Sequence, residues 1–120
     1  MDKVKILLVD DDVELCGELA EILELEGYHV NRTSNSYEGK ALINQNIHDI
    51  VMLDYKMPGL SGVDLIKEII NNKLQCKVLV ISGNSSIDAI LKEEGLSGSI
   101  DGVIIKPYNV DNLLQKLKEL

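Results

Sequence analysis

The chain has 120 residues, enough for one domain with a real core, and 45% of them are hydrophobic. A net charge of −8 opposes direct binding to phosphate backbones and acidic membrane surfaces, and the lack of Phe and Trp removes the usual stacking platforms for single-stranded nucleic acid. No apolar run is long enough to span a bilayer, and "MDKVKILLVD" lacks the order of a signal peptide, so neither a nucleic-acid nor a membrane partner is expected and the location expected is cytoplasmic.

The first element is "VKILLV" (4–9), a continuous apolar run of the kind found in strands buried on both faces. It ends in three carboxylates, Asp10, Asp11 and Asp12. A helical pattern starts at Val13, with Cys16, Leu19, Ala20 and Leu23 at i, i+3, i+4 and i+7, and Gly27 stands where a left-handed C-cap would stop it. Asp12 is placed to cap the start of that helix. "HVNRT" (29–33) is a more polar strand, suited to a sheet edge. A weaker helical pattern runs over 36–47. "DIVMLD" (49–54) is again a buried strand and ends in Asp54, after which Val63, Ile66, Ile69 and Ile70 line a third helix.

"KVLVIS" (77–82) ends in Ser82, and Ile87, Ile90 and Leu91 mark a short fourth helix. The stretch "EEGLSGSIDG" (93–102) contains three glycines and reads as a mobile surface loop. "GVIIK" (102–106) ends in Lys106, followed by Pro107, and Asn109 precedes a last helix built on Val110, Leu113, Leu114 and Leu117. Strand and helix thus alternate throughout, which predicts one α/β domain over residues 1–120, a three-layer sandwich around a five-stranded parallel sheet. Cys16 and Cys76 lie outside any C-x-x-C pattern and read as reduced thiols; His29 and His48 stand alone and read as ordinary polar residues.

In an open parallel sheet, ligands bind outside the carboxyl ends of the strands. Asp10, Asp11, Asp54, Ser82 and Lys106 all follow or end strands, so they are expected to converge on one edge. Two carboxylates about 4 Å apart repel by roughly 4 kcal/mol at an effective dielectric near 20, so three need compensation. A divalent cation and the ammonium of Lys106 would bring the sum to zero. Oxygen-only ligation suits a hard cation such as Mg²⁺.

These residues closely resemble the receiver domain of two-component response regulators, through "LLVDDD" (7–12), "LDYKMPGLSG" (53–62), "ISG" (81–83) and "IIKP" (104–107). The resemblance implies a flavodoxin-like sheet of order 2-1-3-4-5 and a phosphorylated aspartate, Asp54, fed by a phosphohistidine on a sensor kinase or phosphotransfer protein. It implies direct Mg²⁺ ligation by Asp11, Asp54 and the backbone carbonyl of Lys56, with Asp10 orienting metal-bound water. Lys106 would pair with phosphoryl oxygens and Ser82 would donate its hydroxyl to them. The domain would be a switch with slow self-dephosphorylation, acting on an output domain or target, and the Lys106–Pro107 peptide would be cis. Where many receivers carry an aromatic residue, this chain has Val103, which favours loop movement over an aromatic swing as the output, unless Tyr108 or another group substitutes. Lys56 and Asn84 occupy positions that tune dephosphorylation in the family.

Three other readings compete. A haloacid-dehalogenase-type phosphatase needs an acid two residues past its nucleophile, where this chain has Lys56. A flavin mononucleotide site needs hydroxyls and amides after the first strand, where this chain has three acids. A non-phosphorylated interaction module is the alternative that remains, with Val103 in its favour.

Overall fold

The computed structural model describes residues 3–120. Five strands, β1 (Lys5–Val9), β2 (His29–Thr33), β3 (Ile50–Asp54), β4 (Lys77–Ser82) and β5 (Gly102–Ile105), alternate with five helices, α1 (Val13–Leu25), α2 (Ser36–Asn44), α3 (Gly62–Asn71), α4 (Ile87–Glu93) and α5 (Val110–Lys118). The strands form one parallel sheet in the order β2-β1-β3-β4-β5. This is the expected order, with the polar strand β2 at an edge.

The continuous apolar runs have a simple cause. Successive side chains of a strand point to opposite faces, and here both faces are covered. Leu7, Val9, Val51, Leu53, Val78 and Val80 pack with Ile43 of α2, Leu65, Ile66 and Ile69 of α3, and Ile87 and Leu91 of α4. Their neighbours Ile6, Leu8, Ile50, Met52, Leu79 and Ile81 pack on the other face with Cys16, Leu19 and Leu23 of α1 and Leu113 and Leu117 of α5. Among the described residues, no helix is long and apolar enough to cross a membrane.

The helix ends follow local chemistry. Asp12 caps α1 by accepting from the Leu15 N–H, and Gly27 (φ +100°) closes it with bonds from Gly27 N–H to the Glu24 carbonyl and from Tyr28 N–H to the Leu23 carbonyl. Asn109 likewise caps α5. Helix α2 stops at Asn44, earlier than the pattern over 36–47, because Asn46 takes a left-handed conformation (φ 53°) and turns the chain, leaving Ile47 exposed. The segment 93–102 carries more local structure than its glycines predict. Gly95 (φ 73°) is the C-cap turn of α4, Leu96 is buried, and Ser97–Ser99 form a short 3₁₀ turn that leads into β5. A buried leucine and a helix stop account for the composition instead.

Candidate functional site

The chain leaves β1 toward β2 on one side and returns to β3 on the other, so the sheet's topological switch point lies between β1 and β3. Asp10 follows β1 and Asp54 ends β3, and both are buried at this point. Asp11, beside them, is exposed. One carboxylate oxygen from each of Asp10, Asp11 and Asp54 lies within 4.8 Å of the others.

Lys106 enters from the far side of β4. Its backbone N–H donates to the Ser82 carbonyl at 2.7 Å, extending the β4–β5 ladder by one residue, and the next peptide, to Pro107, is cis. Its Nζ lies 3.2 Å from Oδ2 of Asp10 and 3.2 Å from Oδ2 of Asp54. Asp10 is held from both sides, because its Oδ1 accepts the Asp12 N–H at 3.0 Å. Burial alone would push the Lys106 ammonium below its ordinary range, but the charges of Asp10 and Asp54 more than offset this and hold it above. Burial first, and the Asp10 charge second, push the Asp54 carboxyl up to about 6, with Lys106 pulling the other way. One ammonium therefore does not satisfy the cluster.

That shortfall is the test of whether the residues fit a metal ion. Three acids face one lysine, leaving two negative charges over, and every donor is oxygen. A hard divalent cation fits both the charge and the donor set. Ser82 is buried at the end of β4, and its hydroxyl accepts the Asn84 N–H at 3.0 Å. An open depression lined by Asp54, Tyr55, Lys56, Ser82, Gly83, Asn84 and Ser85 leads to the carboxylate. The Lys56 N–H points back at Oδ1 of Asp54, 3.4 Å away. Asp10, Asp11, Asp54, Ser82 and Lys106 thus meet at one sheet edge, as their places at strand ends predict, and Lys56, which only the resemblance brings in, lies beside Asp54.

Ser36 joins the site's surroundings without any signal in the sequence. This residue opens α2, yet its buried hydroxyl bonds the loop after β3 at two points, donating to the Pro58 carbonyl (2.9 Å) and accepting from the Leu60 N–H (2.8 Å). A serine beside Asn35 at a helix start reads as capping chemistry, and nothing in its spacing points to a partner more than twenty positions away.

A family model described as the response regulator receiver domain matches residues 6–118. The transcriptional regulatory protein CpxR homolog of Haemophilus influenzae is 34% identical over 116 residues, covering 97% of this chain and 49% of that protein. The chain spans about half the length of such regulators. Among solved structures, a CheY-like response regulator receiver domain protein from Methanospirillum hungatei superposes with a TM-score of 0.88 at 30% identity, covering 98% of this chain and 93% of that one. The response regulator protein TrrA from Thermotoga maritima, solved in complex with Mg(2+)-BeF, gives a TM-score of 0.83 at 30% identity, with 97% of each chain covered.

Proposed function

The chain belongs to the response regulator receiver family, and on that footing we propose that it is a two-component switch thrown by phosphorylation of Asp54. The donor is a phosphohistidine on a sensor histidine kinase or a histidine phosphotransfer protein. An Asp54 oxygen attacks phosphorus, the P–N bond breaks, and the imidazole nitrogen leaves with the electron pair and takes up a proton. Reactions of this kind depend on positioning and charge neutralisation more than on covalent chemistry by the protein.

Each side chain has a task in that step. Asp11, Asp54 and the Lys56 carbonyl would hold Mg²⁺ and Asp10 would orient its water; the ion would supply positive charge where donor and carboxylate approach. Lys106, already 3.2 Å from Asp54, pairs with a phosphoryl oxygen. Ser82, whose hydroxyl oxygen accepts the Asn84 N–H, donates its O–H to the new acceptor oxygens and draws residues 83–86 with it. Val103 packs half-buried against the core face that carries Ile87, Leu91 and Leu96, so loop displacement, not a swinging aromatic ring, carries the signal to an output domain or target.

The observation that supports this reading best is the convergence of Asp10, Asp11, Asp54 and Lys106 from three separated strand ends. Incubation with acetyl phosphate followed by intact mass measurement tests it. One phosphoryl group should be gained with Mg²⁺ and none with EDTA. No gain in Mg²⁺, or an equal gain in EDTA, would overturn it.

A further inference from the structure

The loop between β3 and α3 is closed at its base by the Gly62 N–H, which donates to the Tyr55 carbonyl at 2.8 Å. The close approach needs glycine there, since a Cβ on residue 62 would lie 2.8 Å from Tyr55 Cα. Beyond that closure, the loop bulges toward α2. There the Ser36 hydroxyl grips it on both sides of Gly59, through Pro58 and Leu60. Gly59 has φ +81°, and a Cβ on it would lie 2.8 Å from Ser36 Oγ and 2.7 Å from the Tyr37 ring. Loop and helix start are therefore fitted tightly together.

We propose that Ser36 is a positioning residue for the metal site, clamping the loop that carries the Lys56 carbonyl before the ion arrives. The inference rests on the reading of Asp11, Asp54 and Lys56 as Mg²⁺ ligands. Its physical basis is preorganisation. Mg²⁺ demands near-ideal octahedral geometry at about 2.0–2.1 Å, so a carbonyl two residues from an untethered turn would have to be ordered at the cost of binding free energy. Ser36 removes that cost by satisfying one donor and one acceptor of the turn with a single buried hydroxyl. The clamp also ties the site to β2. The Asp10 N–H donates to the Thr33 carbonyl (3.2 Å), and Thr33 Oγ1 accepts the N–H of Asn35, next to Ser36.

The test is Mg²⁺ titration by calorimetry on the whole chain, with amide hydrogen exchange at Leu60 in metal-free protein. Ser36→Ala should weaken Mg²⁺ affinity about 5- to 20-fold and release the Leu60 amide to exchange. Gly59→Ala, which keeps the hydroxyl but forces the loop away from it, should weaken affinity to a similar degree and decides the matter if Ser36→Ala does not fold. Ile43→Val, a core change elsewhere on α2, should lower stability but leave affinity within about twofold. Mg²⁺ binding by either clamp variant at wild-type strength, or an equal loss in Ile43→Val, would overturn the proposal. Failure of the wild-type chain to bind Mg²⁺ would instead remove the metal reading itself, and the Leu60 exchange result would still report whether the clamp exists.

Discussion

Nζ of Lys106 sits 3.2 Å from Oδ2 of Asp54, although the two residues are 52 positions apart in sequence and β4 runs between their strands. The contact brings the proposed nucleophile and its counter-ion together before any phosphoryl group is present. It does not neutralise the cluster, because Asp10 shares the same ammonium.

Asp54→Asn should stabilise the metal-free protein at pH 7 by about 1–2 kcal/mol. The native carboxyl titrates at about 6, against an ordinary value of 3.8. Ionisation is therefore disfavoured by folding, a cost present at neutral pH that disappears as pH falls through 6 toward 3.8. Asparagine removes the charge and leaves Asp10 as the partner of Lys106. Urea denaturation in EDTA at pH 7 and pH 4 measures both the gain and its loss on acidification. A variant less stable than wild type at pH 7 would show that burial and the Asp10 charge do not strain the ionised site.

Much of this site was readable from the chain. Burial of both sheet faces gives the strands uninterrupted apolar runs, so their carboxyl ends, and hence Asp10, Asp54, Ser82 and Lys106, are easy to locate. Position at a strand end then implies position in space, because parallel strands all point the same way. The role of Ser36 was hidden because its contact depends on how α2 docks beside the β3–α3 loop, which no periodicity encodes. The turns at Asn46 and Lys73 were hidden for another reason. Both have left-handed backbones (φ 53° and 52°) without glycine, the residue that usually announces that conformation. Conversely, the glycines of 93–102 point to an irregular loop where a buried Leu96 precedes a short 3₁₀ turn.

His48 lies just before β3, at the opposite end of the sheet from Asp10 and Asp54. It is buried, Nε2 lies 2.8 Å from Asn31 Oδ1, and Nδ1 has no partner among the described residues. With Nε2 donating to the amide oxygen, a second proton on Nδ1 would create a buried N–H without an acceptor. Burial foremost, then the charges of Lys5 and His29, lower its pKa below the ordinary 6.5, while Asp49 opposes them. The neutral ring's stabilisation is thus complete above 6.5 and is lost as pH falls through the lowered value. His48→Gln should flatten the stability profile between pH 7 and pH 5 relative to wild type, as read by urea midpoints. Parallel profiles would remove His48 as the source.

Lys56 stands exposed at the mouth of the depression that leads to Asp54. A long cation there can obstruct the water that attacks an acyl phosphate. Lys56→Ala should shorten the phosphorylated lifetime several-fold, while the carbonyl proposed as a metal ligand is retained. Decay followed by mass spectrometry after removal of the phosphodonor gives the rate; an unchanged or slower decay would exclude steric shielding.

The proposed switch requires that phosphorylation fall on Asp54. Borohydride reduces an aspartyl phosphate to homoserine, and peptide mapping of the reduced chain then reads the position. Homoserine at residue 54 and nowhere else is the predicted result. Homoserine at 10 or 11, or a phosphoryl group that survives reduction on another side chain, would contradict it.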